Sequence, residues 1–145
     1  MTDLFHQKAP QYMNWLIRDF GLTKQQAAGI LGNIGRECAG FKILREIGAA
    51  PGQGGYGIVQ WTGARAHTFL NYCTAHGLDW RSDAGNYAYL RQELKTGYAS
   101  VITALRKTKT VEAATEIFEK QYERAGVPAM SDRIRWARLA LAAHG

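Results

Sequence analysis

Three glycines, Gly29, Gly32 and Gly35, recur every three residues inside the otherwise apolar stretch that ends at Glu37. In a helix interior each costs about 1 kcal/mol relative to alanine. Three such costs call for a compensating contact, and close approach of another backbone is what a missing Cβ permits. The stretch reads as a helix because Thr23-Lys24-Gln25-Gln26 has the form of a capping box at its start. Its apolar phase then runs through Ala27, Ile30, Ile34, Glu37 and Cys38, which share one face at three- and four-residue steps. A chain organised around such a helix must lay other helices against it. Glu37 points where the apolar side chains point. A carboxyl taken partly out of water favours its protonated form, which suits a proton donor at neutral pH. A glutamate that merely caps or pairs at a helix end, with Arg36 or Arg45, fits the same phase.

After the helix, Gly48, Gly52, Gly54, Gly55 and Gly57 mark a passage where chain or ligand can come near. It leads into Tyr56-Gly57-Ile58-Val59-Gln60-Trp61. Read as extended, this segment puts Tyr56, Ile58 and Gln60 on one side and Gly57, Val59 and Trp61 on the other. A two- or three-stranded β element is expected over 53–61. Tyrosine, glutamine and tryptophan beside an acid offer what a sugar site needs: ring faces to stack on and polar tips for hydroxyls and amides. Gly57 would keep space for the sugar.

The rest of the chain is helical by periodicity. Residues 7–20 carry Tyr12, Met13, Leu16, Ile17 and Phe20 on one stripe, ended by Gly21. A helix over 64–76 buries Phe69, Leu70 and Cys73 and stops at Gly77. Another over 83–96 uses Tyr87, Leu90 and Leu94; a shorter one uses Tyr98, Ile102 and Leu105. Thr110 caps a helix that buries Ala114, Ile117, Phe118 and Tyr122. The glutamates at 112, 116, 119 and 123 read as its solvated face, paired locally with Lys120 and Arg124. Gly126-Val127-Pro128 breaks it. A last helix from Ser131 packs Ile134, Ala137 and Leu141, with Arg133, Arg135 and Arg138 partly outward. Glu93 reads as a solvated helix acid, with entry into the cleft as the alternative, and Trp80 and Trp136 as packing residues. The expectation is one mostly α domain over residues 1–145, with a small β-hairpin.

A chain of 145 residues can bury a core as a single domain. Its formal charge of +6 and pI near 9.5 favour anionic partners. Nucleic acid is the weaker of these: Arg106, Lys107 and Lys109 form the best basic patch, and no aromatics interleave with it. No apolar stretch is long enough to span a bilayer. Cys38 and Cys73 are expected as buried free thiols. Cys73-x-x-His76 with His67 nearby puts three potential ligands on one helix, a poor tetrahedral site. A cysteine nucleophile would need one of His6, His67, His76 or His144 beside it, and both cysteines lie in the apolar phase. No metal or cofactor is predicted.

The run GILGNIGRECAGF, followed by GGYGIVQWTGAR, resembles the phage tail lysozyme family of the lysozyme-like superfamily. That family carries a helix ending in a catalytic glutamate, then a β-hairpin with a Gly-(Ile/Leu)-x-Gln-Trp signature. The close similarity covers roughly residues 22 to 67, and YLRQELKTGY and YERAGVPAMSDRIRWA extend it more weakly. The usual Glu-Ser-Gly-Phe reads Glu37-Cys38-Ala39-Gly40-Phe41 here. Related phage lysozymes place an aspartate nine residues after the glutamate and a threonine six beyond; this chain has Glu46 and Gly52 there. The resemblance implies a lysozyme fold with the hairpin bordering a cleft. It also implies a glycosidase that cuts peptidoglycan between N-acetylmuramic acid and N-acetylglucosamine. Glu37 would be the general acid, either alone or with a second catalytic carboxylate for which Glu46 is the nearest candidate, with Tyr56, Gly57, Gln60 and Trp61 at the substrate. A lytic transglycosylase on the same bond, or an inactive wall-binding or tail-structural module, remains open. The expected partner is bacterial peptidoglycan, met by a monomer. The N-terminus, MTDLFHQKAPQYMNWL, shows no apolar signal core. Synthesis in the bacterial cytoplasm is therefore expected, with holin-dependent release or carriage by a phage-tail-like particle to the wall.

Overall fold

The computed structural model describes residues 3–145, as seven α-helices and one π-helical turn. They are α1 (Asp3–Phe20), α2 (Lys24–Glu37), α3 (Gly63–Ala75), α4 (Asp83–Lys95), α5 (Ala99–Leu105), α6 (Val111–Phe118), the π turn Glu119–Glu123, and α7 (Met130–His144). The capping box forms: Gln26 N–H donates to Thr23 Oγ1 at 3.2 Å, and Thr23 N–H donates to Gln26 Oε1 at 3.0 Å. Thr110 caps α6 by accepting from Ala113 N–H at 3.1 Å.

α2 is the axis of the molecule, buried from Gln26 through Gly35. Its glycines are where neighbouring helices touch it. A Cβ on Gly29 would lie 2.7 Å from both Ala114 Cβ and Thr115 N of α6. On Gly32 it would lie 2.4 Å from the Arg133 carbonyl oxygen and 2.6 Å from Ala137 Cβ of α7. On Gly35 it would lie 2.8 Å from the Trp136 indole. α6 therefore covers the first half of α2 and α7 the second, with α1 packed across both α2 and α7. Tyr12, Met13 and Leu16 of α1 join Ile30, Leu31, Ile34, Phe69, Leu90 and Phe118 in the core. Full burial of each such aliphatic or phenyl side chain contributes roughly 1.5–3 kcal/mol. α1 begins earlier than its periodicity predicts and carries Pro10 within it. It ends at Gly21, whose φ is +64°.

Three expectations are corrected. Among the described residues no β-strand forms. The 53–61 passage holds only two isolated bridges, Arg45 with Tyr56 and Tyr56 with Trp61. Tyr56 and Trp61 exchange N–H···O bonds of 2.9 Å across a tight turn, in which Gly57 has φ +82° and Gln60 φ +57°. That reversal ends pairing after a single residue pair, so the chain never extends far enough to alternate its faces; Ile58, Val59 and Trp61 are all buried. Second, Glu119 and Glu93, read as solvated, are buried. Third, Arg133, read as partly outward, is buried within the α2–α7 contact. Cys38 and Cys73 are free and buried. No described helix is long and apolar enough to cross a membrane.

Candidate active site

The capping box fixes where α2 begins, and the glycine contacts with α7 fix where its last turn points. Glu37 stands at that end, 22% exposed, with Oε2 2.7 Å from Nη2 of Arg133. Arg133 is itself 1% exposed. Its Nη1 donates to Asn33 Oδ1 at 3.0 Å and its Nε to the Pro128 carbonyl at 2.6 Å. Asn33 in turn donates to the carbonyls of Gly29 and Thr115, at 2.9 and 3.1 Å. A buried polar chain thus runs from the α2–α6 contact to the acid. The partners offered by sequence are engaged elsewhere: Arg36 meets Asp132 at 3.3 Å, and Arg45 donates to the carbonyls of Ala50 and Gly55.

Beside this pair the π turn delivers two consecutive side chains. α6 passes into the turn without a cap, and Arg124 N–H reaches back five residues to the Glu119 carbonyl at 2.7 Å. Arg124 then turns left-handed, at φ +48°. A π turn adds a residue to the helical repeat and often lies at functional sites. Here Tyr122 enters a second buried cluster. Glu93 Oε1 accepts from Trp61 Nε1–H at 3.0 Å, from Arg65 Nη2 at 2.8 Å, and from the Tyr122 hydroxyl. Glu93 Oε2 accepts from Arg65 Nε at 3.0 Å. The Arg65 guanidinium lies over the rings of Tyr98 and Tyr122, at 4.7 and 4.9 Å.

Glu123 follows, and its Oε2 is buried with no hydrogen-bond partner. Burial pushes its carboxyl well above the usual carboxylate range, and the negative charge of Glu37 adds to this. Arg133 and Arg65 oppose the shift, and Glu93 reinforces it. The same two acids, after burial, help hold the Cys38 thiol up at about 12, against the Phe41 N–H that donates to its sulfur. Cys38 is therefore a neutral core group.

The glycine-rich loop places the other sequence-predicted residues. Glu46 is exposed; its Oε1 accepts from Gly55 N–H at 3.0 Å, and its backbone N–H donates to the Gly55 carbonyl at 2.9 Å. Tyr56 is half-buried, its ring edge-on to Trp80 at 5.3 Å and stacked under the Arg45 guanidinium at 4.0 Å. Gln60 Nε2 donates to the carbonyls of Gly57 and Ile43, at 2.8 and 3.3 Å. The space over Gly57 is filled from within: a Cβ there would lie 2.7 Å from Asn86 Oδ1 and 2.8 Å from the Trp61 ring. Trp61, 1% exposed, presents no ring face to solvent. A depression of about 410 Å³ is lined by Phe41, Lys42, Ile43, Leu44, Arg45, Ile47 and Arg81, without Glu37 or Glu123.

Sequence reasoning missed Glu123, Arg133, Arg65 and Asn86. Arg133 carried a signal in its phase: with Trp136, Ala137 and Ala140 it makes the buried stripe of α7. Asn86 sits on α4 just before Tyr87, where only its bonds show its role. It accepts from Ile58 N–H at 2.9 Å and donates to the carbonyls of Trp80 and Ser82, both at 2.8 Å.

The site is thus a partly exposed carboxyl at the end of a buried central helix in a mostly helical protein, paired from the core side by Arg133. A family model described as phage tail lysozyme matches residues 7–143. The chain belongs to the phage tail lysozyme family. No curated protein matches the sequence.

Proposed function

We propose that this protein is a peptidoglycan-cleaving glycosidase that cuts the β-1,4 bond between N-acetylmuramic acid and N-acetylglucosamine. The observation that carries the reading is Glu37, a partly exposed acid held at the end of the buried central helix by a buried arginine. It stands in a chain that matches the phage tail lysozyme family over nearly its whole length. Residues 1–145 act in this reading as one catalytic domain. Glu37 protonates the leaving oxygen, so that the bond to the anomeric carbon breaks through an oxocarbenium-like state. Glu46, exposed on the loop that follows Glu37, orients the attacking water. Tyr56 and Gln60 contact the sugar; Gly57 and Trp61 serve the site by packing the loop onto α4, since their faces are filled. The +6 charge favours an anionic wall. The protein would reach that wall after release or carriage on a phage-tail-like particle.

Purified sacculi incubated with the protein, followed by mass spectrometry of released fragments, test this reading. Muropeptides with ordinary reducing ends at N-acetylmuramic acid are expected. Anhydro-muramyl ends would make the protein a transglycosylase, and intact glycan strands would remove the enzymatic reading.

A further inference from the structure

The depression lined by Lys42, Ile43, Leu44, Arg45, Ile47 and Arg81 has no part in the cleavage step described above. We infer that it is a subsite for the peptide stem of peptidoglycan, in which Lys42, Arg45 and Arg81 bind the carboxylates of that peptide. The inference rests on peptidoglycan being the substrate.

The charge of the depression is one-sided. Three cations line its 410 Å³, and no carboxylate is among the lining side chains. Among the described residues none of the three cations is ion-paired. The acids nearest to them in sequence accept from backbone N–H groups instead: Glu46 from Gly55 at 3.0 Å, and Asp79 from Arg81 at 2.9 Å. Arg45 is held by neutral partners, the carbonyls of Ala50 at 2.7 Å and Gly55 at 3.4 Å, which leave its charge uncompensated. Two aromatic rings connect the arginines. The Arg45 guanidinium lies 4.0 Å from the Tyr56 ring, Tyr56 meets Trp80 edge-on at 5.3 Å, and the Arg81 guanidinium lies 4.3 Å from the Trp80 ring. A guanidinium already fixed on an aromatic face loses less freedom when it takes up a carboxylate. The remaining lining is apolar: Ile43 and Leu44 are half-buried, and Ile47 is 80% exposed. Covering such side chains with an apolar ligand group is favourable.

The stem peptide matches both features. It presents free carboxylates at short spacing, from its γ-linked glutamate, its diamino acid and its C-terminal residue, and its alanines present methyl groups. It also hangs from the lactyl group of the N-acetylmuramic acid at the scissile bond, so its binding place must adjoin the catalytic acid. The depression is tied to that acid through the backbone. Ile43 N–H donates at 3.0 Å to the carbonyl of Cys38, the residue after Glu37. Gln60, assigned to the sugar, donates to the Ile43 carbonyl at 3.3 Å, and Gly57 N–H donates to the Leu44 carbonyl at 2.7 Å. The sugar-contacting loop and the lining of the depression therefore brace each other.

The test titrates the isotope-labelled full chain with an N-acetylated tetrapeptide of L-alanine, γ-linked D-glutamate, meso-diaminopimelate and D-alanine, followed by NMR. Resonances of Lys42, Ile43, Leu44, Ile47 and Arg81 should move, and added salt should weaken the binding. The Lys42→Gln, Arg81→Gln double variant should bind about fivefold more weakly or worse. Both residues are exposed, so this variant should keep the wild-type melting temperature. The same peptide with its carboxylates converted to amides should leave these resonances in place. No movement with the tetrapeptide, undiminished binding by the folded double variant, or equal binding of the amidated peptide overturns the inference. Movement with chitotetraose but not with the peptide also overturns it, making the depression a sugar subsite. Binding is read here without cleavage. A protein that cuts sacculi but ignores the peptide loses the subsite and keeps the proposed function; one that binds the peptide here but cuts no sacculus keeps the subsite and loses the function.

Discussion

Arg133 grips Glu37 from inside the protein: Nη2 lies 2.7 Å from Oε2, with the cation 1% exposed and the acid 22% exposed. The charge of the acid is thus balanced from the core side while its carboxyl still reaches solvent. Removing one partner of a buried pair is expensive because it leaves the other uncompensated, by about 3–5 kcal/mol. Arg133→Met also strands Asn33 Oδ1 and the Pro128 carbonyl. Urea unfolding of this variant should show a loss in that range, together with loss of wall cleavage. A change below about 1 kcal/mol would mean that the guanidinium is not anchoring α7 to α2.

Gly32→Ala tests the helix crossing that positions this pair. In isolation the change favours a helix by about 1 kcal/mol. Here the new methyl meets the Arg133 carbonyl at 2.4 Å, a backbone atom that no rotamer change can move away. Overpacking of this kind typically costs about 1–3 kcal/mol, so a net destabilisation is expected. Gly97→Ala, where a Cβ meets nothing within 4 Å, is the control and should leave the melting temperature nearly unchanged. Equal effects at the two positions would contradict the close approach.

Much of this arrangement is legible in sequence. The capping box, the glycine triplet and the apolar phase predict α2, its crowding by other backbones, and the inward aim of Glu37. The misplaced β element has a physical reason: Tyr56–Trp61 is rich in the β-branched and aromatic residues that favour strands, yet left-handed Gly57 and Gln60 fold it into a turn. Glu123 was hidden for another reason. An unbroken α-helix would group it with the exposed glutamate at 116; in the π turn, closed by the Arg124 N–H on the Glu119 carbonyl, Glu119 and the Glu123 Oε2 are buried instead. Arg133 lay in the right phase, but its charge argued for the surface. Buried arginine becomes tolerable only once Glu37, Asn33 and the Pro128 carbonyl are brought together in space.

Acid and alkali should act on stability through two different carboxyls. Glu123 keeps its proton in the folded state, while the unfolded chain releases it above about pH 4.3. Stability therefore falls as pH rises through that value. Glu123→Gln should be more stable than wild type at pH 7, with the difference vanishing below about pH 4. Asp19 behaves oppositely. Arg18 and the Tyr87 hydroxyl, with Arg91 nearby, hold its carboxyl down at about 2, although partial burial resists this. Its contribution is present above about pH 3.9 and is lost as pH falls towards about 2. Asp19→Asn should flatten the acid limb of the stability curve. Chemical denaturation across this pH range measures both; an unchanged pH dependence in either variant would contradict its assignment.

Glu46 separates catalysis from loop bracing. If it orients water, Glu46→Gln lowers turnover far more than sacculus binding, because the lost charge acts on the transition state. Glutamine retains a carbonyl for the Gly55 N–H, so the loop should stay in place. We expect a fall of about 10²-fold or more in cleavage rate, the scale of general acid–base assistance. A variant within a few-fold of wild type reduces Glu46 to a brace for Gly55.

The most direct test is cleavage of purified sacculi by Glu37→Gln, with folding and sacculus binding measured on the same sample. Glutamine keeps the side chain's length and an acceptor for Arg133, but has no comparable proton to donate. The account predicts a folded variant that binds sacculi and releases no muropeptides. A folded Glu37→Gln protein that cleaves at close to the wild-type rate would contradict it.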